Sequence, residues 1–427
     1  MLRFAPSPTG DMQIENLREA IFNYMVAKQR GDTFLVRIED SDKKRNIEGK
    51  DTEILQILEK FALKHDAVFH QSEHLNIHQT LALRLLEEGK AFICTCTSEE
   101  IEADRDAAKV GEGPYHYSGK CLEKGKEILK KLKEEKQPFV IRIKKPDHDI
   151  VTDDLIRGEI VSSPDEVDAF VILREDGTPT CDFASACDDM LSGVTFVIEG
   201  ASYLSRTPRQ RHIKAQLGYN EETRYAHLPA ILYDNGTIAL KELFAEGFVP
   251  DAIANYLILL GNSIPEEIFT IPEALTWFDL KQLSSSPVKF EKETLRYLNR
   301  KHLEKMDDRR LSMVFGFADA SIGKLAKLYL GEASTLNELE AIIQAIFSPK
   351  SFSGVWEEQM RIMEKIIFEA PMIDTFDAFQ TYLMRKSGLR GEAFSKPLRI
   401  LLTGAEHGPE LHDIYPYIKS YLLEVAS

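Results

Sequence analysis

The chain has 427 residues, 43% of them hydrophobic and 29% charged, with a formal net charge of −16. That length exceeds one ordinary core and predicts two to four domains, and the composition excludes a disordered or low-complexity chain. The acidity argues against a protein that coats nucleic acid by bulk electrostatics, although a shaped RNA site with local Lys and Arg stays open.

The opening Met1-Leu2-Arg3-Phe4-Ala5-Pro6 lacks the basic segment and apolar run of a secretory signal, and no apolar stretch approaches the ~20 residues that span a bilayer. Five cysteines, two of them as Cys94-x-Cys96, point to a reducing, cytoplasmic setting and to metal binding rather than disulfides. Residues 2–4 read as a strand, followed by the Pro/Gly-rich turn Pro6-Ser7-Pro8-Thr9-Gly10. Leu17, Ala20, Ile21, Tyr24 and Met25 then follow helical spacing, with Gly31 as the stop. Residues 33–39 are strand-like. Strand, tight turn, helix, strand predicts a βαβ unit of an open parallel sheet, whose ligands bind beyond the carboxyl ends of the strands. A helix is predicted over 51–62, a Lys-rich helix over 125–136, and strands over 139–144 and 168–174; from Pro250 onward the pattern is nearly all helical.

Several blocks carry a family resemblance. They are Arg3-Phe4-Ala5-Pro6-Ser7-Pro8-Thr9-Gly10, Arg37-Ile38-Glu39-Asp40, Leu173-Arg174-x-Asp176-Gly177-x-Pro179-Thr180, Asp188-Asp189, Thr207-Pro208-Arg209-Gln210, His227-Leu228-Pro229, Glu246-Gly247-Phe248-x-Pro250 and, near the end, Pro397-Leu398-Arg399 and Leu402-Thr403-Gly404. Together they resemble the bacterial glutamyl-tRNA synthetases of class I over essentially the whole chain. The resemblance implies an α/β Rossmann-type class I catalytic domain with an α+β insertion, followed by all-α stem-contact and anticodon-binding domains. The expected division is 1–75 with 170–238 for the split catalytic domain, 76–169 for the acceptor-stem-binding insertion, 239–310 for the stem-contact helices and 311–427 for the anticodon-binding region. It also implies a monomer, ATP with Mg2+, glutamate and tRNA as ligands, and transfer of glutamate through an acyl-adenylate to the tRNA 3′ end.

Within that resemblance, Arg3, Ser7 and Glu39 match positions that hold the glutamate. Other positions depart from it. A Tyr is expected where Cys181 stands, and an Arg where Glu199 stands, which reverses charge facing an anionic substrate and deletes a bidentate donor. A pairing of Glu199 with Arg3 would close the pocket. The ATP motif His-Ile-Gly-His or His-Ile-Gly-Asn is replaced by Gln13-Ile14-Glu15-Asn16. Gln13 cannot carry a positive charge, and Glu15 sets an anion beside a polyanion; one such pair at ~4 Å and an effective dielectric of ~20 repels by about 4 kcal/mol, roughly a thousandfold in binding. Glu15 in a first turn is equally an ordinary partner of the helix dipole. The lysine-rich loop motif is missing between Gly236 and Glu246, where Lys241 is the only base and sits in a helix-like run. Because electrostatic stabilisation dominates phosphoryl chemistry, these losses predict impaired aminoacylation on a retained fold, with a working glutamate–tRNA ligase or a ligase for another small substrate as alternatives.

Cys94, Cys96, Tyr117 and Cys121 fit a zinc pattern of some family members, with Glu123 or water as alternatives to the phenol oxygen. Arg142, Lys144 and Lys145, and the later Lys386, Arg390, Lys396 and Arg399, are candidate RNA contacts or plain solvated faces.

Overall fold

The fold is described from a computed structural model covering residues 1–109, 116–262 and 264–427. The chain divides into two compact units, one of residues 1–240 with 257–290 and the other of residues 241–256 with 291–427.

The first unit is organised by strands β1 (Leu2–Phe4), β2 (Phe34–Ile38), β3 (Ala67–His70), β4 (Ala91–Cys94), β5 (Val140–Ile143), β6 (Ile150–Asp154), β7 (Gly158–Ser162), β8 (Val171–Leu173), β9 (Phe196–Gly200) and β10 (Arg224–Leu228). Seven of them form one sheet in the order β3-β2-β1-β9-β10-β6-β7. Its neighbours run parallel except for the β6–β7 hairpin. β1 and β2 are buried throughout, as strands covered by helices on both faces must be. β4, β5 and β8 make a separate antiparallel sheet over its own core, which includes Leu85, Ile93, Ile141, Ile172 and Phe183.

Helix α1 (Ile14–Arg30) forms as its spacing predicts, burying Leu17, Ala20, Ile21 and Met25, and ends where Gly31 adopts φ +65°, a left-handed conformation that costs glycine nothing. The helix Lys50–Lys60 begins one residue before the predicted 51–62, and strands β2, β5 and β8 fall within the predicted stretches. The hairpin β6–β7 has no counterpart in the sequence reading. Burial alternates strictly along β6 but does not follow polarity: Thr152 and Asp154 are buried while Val151, and Val161 of β7, face out, so pairing rather than local pattern selects these strands.

The second unit is helical, as the run after Pro250 predicts. Its core gathers Leu325, Leu339, Ile343, Met360, Phe379, Leu401 and Tyr415. Tyr415 satisfies its buried phenol by donating to the Ile373 carbonyl at 2.7 Å.

Candidate functional site

The site lies where the carboxyl ends of β1, β2, β9 and β10 meet the start of α1. Parallel register sets Arg3 of β1 beside Leu35 of β2, and His227 of β10 beside Glu199 of β9. Strand pairing therefore brings together Arg3 and Glu199, 196 residues apart, and the helix Cys181–Ser192 adds Asp189.

Arg3 is buried. Its Nε donates to Asp189 Oδ1 at 3.2 Å and its Nη2 to Glu199 Oε2 at 3.2 Å. The Arg3–Glu199 pairing expected from the charge reversal is therefore present. Asp189 also accepts from Arg37 Nη1 at 2.7 Å and lies 3.5 Å from Lys214 Nζ. Burial works against the Arg3 charge, but Asp189 and Glu199 outweigh it and hold its pKa above the ordinary value. Burial likewise opposes the Asp189 charge, and the surrounding Arg3, Arg37 and Lys214 hold its carboxyl well below the usual range. Glu199 behaves in the same way: against burial, His227 and Arg3 keep it ionised. His227 stands between Asp154, 2.6 Å from Nδ1, and Glu199, 3.4 Å from Nε2; the two carboxylates raise its pKa against burial.

Glu39 receives Ser185 Oγ at 2.6 Å and Arg37 Nη2 at 3.3 Å. Ser7 lies exposed on the turn after β1. Cys181 opens the helix Cys181–Ser192, and the cavity beside Arg3, Glu39 and Glu199 is lined by Ser185, Tyr203, Arg206 and Gln210 rather than by Cys181. That cavity holds about 30 Å³, room for one or two waters, against the ~300–1,000 Å³ of typical ligand pockets.

Next to it, sharing Glu19 and Tyr203, opens a cavity of about 310 Å³ lined by Gln13, Glu15, Asn16 and the run Leu228-Pro229-Ala230-Ile231. The start of α1 meets the protein's own backbone here. Ile14 N–H donates to Ile238 O at 3.1 Å, Leu240 N–H to Met12 O at 2.9 Å, and Gln13 bridges Ala239. An amide that a helix start offers to an anion is thus already satisfied, and Glu15 adds a negative charge to the same turn. Glu19, one turn on, accepts the Gly200 N–H; burial first, and then Glu199, push its carboxyl up to about 8. The sequence reading missed Glu19, although Glu15 and Glu19 are four residues apart and so share a helix face. Lys241 lies exposed on the helix Leu240–Ala245, with Leu240 and Leu243 as its buried side.

Cys94, Cys96 and Cys121 converge, their sulfurs all within 4.8 Å of one another. Cys96 Sγ stands 3.7 Å from Cys121 Sγ, while Tyr117 Oη lies 3.4 Å from Cys94 Sγ and 3.7 Å from Cys96 Sγ. Thiolates at ~2.3 Å from a tetrahedral zinc are about 3.8 Å apart, so the spacing fits that ion. Against burial, hydrogen bonds from the Thr95 backbone, Tyr117 and Lys124 bring the Cys121 thiol down to about 6. A second cluster was not foreseen: Asp188 Oδ1 lies 2.8 Å from both His74 Nδ1 and His78 Nε2, and Oδ2 accepts from Gln71. It ties the stretch before β4 to the helix Cys181–Ser192.

Of the candidate RNA contacts, Arg142 donates to Ala169 O and stacks 4.4 Å from the Tyr117 ring centroid. Lys145 pairs with Asp165, and Lys396 with Glu392. Arg390 and Arg399 donate to carbonyls of their own unit.

Residues 1–297 match the family model for the tRNA synthetases class I (E and Q), catalytic domain. The chain is 67% identical, over the whole of both chains, to Glutamate–tRNA ligase 2 of a Sulfurovum species, and 51% identical, again over the whole of both, to Glutamate–tRNA ligase 1 of a Nitratiruptor species. Among solved structures it is similar to a glutamate tRNA ligase from Elizabethkingia meningosepticum in complex with its amino acid, with a TM-score of 0.82 at 25% identity, covering 100% of this chain and 98% of that one. The chain belongs to the class I glutamate–tRNA ligase family. The alignment with the Sulfurovum relative runs over 435 residues against the 427 of this chain, so the relative carries residues with no counterpart here.

Proposed function

We propose that the chain keeps the tRNA-binding scaffold of the glutamate–tRNA ligases and is impaired in the ATP-dependent activation of glutamate. The carrying observation is the double engagement of Arg3 by Glu199 and Asp189, each at 3.2 Å. A cation that would receive a substrate carboxylate is answered by two carboxylates of the protein, beside a cavity of about 30 Å³. Admitting glutamate would require breaking a buried ion pair, a cost of about 3–5 kcal/mol when one partner is lost. The triphosphate of ATP fits poorly at the neighbouring cavity on grounds of charge: Glu15 lines it, the first amide of α1 is bonded to Ile238 O, and Lys241 is the one base between Gly236 and Glu246.

In this reading 1–75 and 170–238 are the catalytic scaffold, 76–169 faces the acceptor stem, 239–310 the stem and 311–427 the anticodon. The Cys94, Cys96 and Cys121 thiolates with the Tyr117 phenol oxygen would hold one Zn2+, which would supply a structural cross-link between β4 and the turn at Cys121.

A second reading, a working glutamate–tRNA ligase, is favoured by one observation: full-length identity of 67% to a relative bearing that name. ATP–pyrophosphate exchange with glutamate and tRNA present separates the two. Exchange at the background level is expected; clear glutamate-dependent exchange establishes the second reading, and exchange driven by another amino acid assigns the pocket to a different substrate. A gel shift comparing glutamate tRNA with an unrelated tRNA tests the scaffold role, and equal weak binding to both refutes it.

A further inference from the structure

We propose that His74, His78 and Asp188 form a second metal site, which takes up an exchangeable divalent ion of the first transition row from solution. The three residues stand apart from the cysteine cluster, and none of them lines the cavities beside Arg3 or at the start of α1.

His74 and His78 are four residues apart, where the 3-10 segment Gln71–His74 runs into the helix Leu75–Glu87, so their imidazoles share one face. Asp188 meets that face from the helix Cys181–Ser192. Its Oδ1 lies 2.8 Å from His74 Nδ1 and 2.8 Å from His78 Nε2, and the three atoms all fall within 4.8 Å of one another. An ionised carboxylate only accepts, so in the metal-free chain both rings spend an N–H on one oxygen. An ion takes their place when each ring moves its proton to its other nitrogen, His74 to Nε2 and His78 to Nδ1. Tetrahedral bonds of ~2.0–2.1 Å set ligand atoms about 3.3 Å apart, so the groups need to part by only about half an ångström. His74 is free to yield, with a side chain 28% exposed, whereas those of His78 and Asp188 are fully buried. Asp188 is steadied through its other oxygen: Oδ2 accepts from Gln71 Nε2 at 2.9 Å, and Gln71 Oε1 accepts from Ser41 Oγ at 3.0 Å, the outer support that ligating carboxylates have. His78 Nδ1 is buried with no partner among the described residues. It goes unanswered as an acceptor in the metal-free chain and as a donor in the loaded one, so it does not weigh against the ion. Two nitrogens among three ligands select Zn2+ or Ni2+ over the oxygen-seeking Ca2+ and Mg2+. Bound there, the ion cross-links the helix Leu75–Glu87 to the helix that carries Asp189 to Arg3.

The test is calorimetric titration of the full chain with Ni2+ in the Cys96→Ser background, which disables the cysteine cluster. One equivalent is expected to bind. Adding His74→Gln should weaken it by more than about 100-fold, beyond the loss of an outer-shell partner, and adding Asp188→Asn, which keeps the shape of the side chain, should do the same. Made in the otherwise native chain, His74→Gln should remove one equivalent. His74 is partly exposed, so its variant should keep the urea midpoint of its parent; if Asp188→Asn fails to fold, His74→Gln decides. The bound ion should show no thiolate charge-transfer absorption, and it should raise the melting temperature of the Cys96→Ser chain but not of the double variants. No binding in Cys96→Ser, unchanged affinity on adding His74→Gln, or thiolate absorption from the bound ion would each overturn the proposal.

Discussion

Two side-chain constellations of the first unit, one fitting a family zinc pattern and the other departing from the family at Glu199, have ended in opposite states. At Cys94, Cys96, Tyr117 and Cys121, four soft or phenolic donors point at one another across 3.4–3.7 Å contacts, a distance that suits a shared ion better than direct bonding. At Arg3, Glu199 and Asp189, opposite charges have closed on each other. The contrast teaches that a retained motif is not the same as a retained site. What matters is whether the functional groups are left facing a ligand or have found partners within the chain. Like groups gathered at one point still call for an ion between them; opposite charges at the same spacing satisfy each other.

The comparison can be broken at its strongest point. Asp189→Ala should destabilise the folded chain by about 3–5 kcal/mol, because Arg3, Arg37 and Lys214 would be left facing one another in a buried site; urea denaturation measures it, and a loss below about 1 kcal/mol would show that the network is solvated.

At the cysteine cluster, mass spectrometry under native conditions should find one zinc per chain. Cys96→Ser should lower zinc affinity by more than about 100-fold, beyond what loss of an outer-shell partner costs. An unchanged zinc content in the variant would place the ion elsewhere.

Glu19 sharpens the comparison through pH. In the folded chain its carboxyl keeps a proton up to about pH 8, whereas an unfolded glutamate releases it near ~4.3. Between those values the folded state binds more protons, so this group makes stability fall as pH rises, levelling off above 8. Glu19→Gln should remove that slope and gain about 1–3 kcal/mol at about pH 8, read as melting temperature against pH; an identical profile in the variant would contradict the assignment.

The smallest effect is expected at Lys241. Lys241→Ala should change stability by less than about 1 kcal/mol, as for an exposed helix position, and leave pyrophosphate exchange where it was. A fall in exchange would give Lys241 the loop lysine's role after all.

Local pattern was a good guide wherever one face of an element is buried. The spacing of Leu17, Ala20, Ile21 and Met25 was enough to place α1, and Gly31 its end, because a 3.6-residue period and a left-handed stop are properties of the chain itself. The β6–β7 hairpin was not legible, since Val151 and Val161 face outward and nothing in the local pattern marks the segment as a continuation of the parallel sheet.

The candidate site divides along the same line. Sequence alone determined which charges had changed, Glu15 and Glu199 above all, and that three cysteines and a tyrosine stood at metal-ligand spacing. Only the tertiary structure decided what those charges meet: that Asp189 joins Glu199 on Arg3, that Glu19 rather than Cys181 lines the pocket, and that Ile238 O answers the first amide of α1. Residue identity is written along the chain, but electrostatic partnership depends on distances of a few ångströms between segments far apart in sequence, and strand register together with the packing of helices on the sheet sets those.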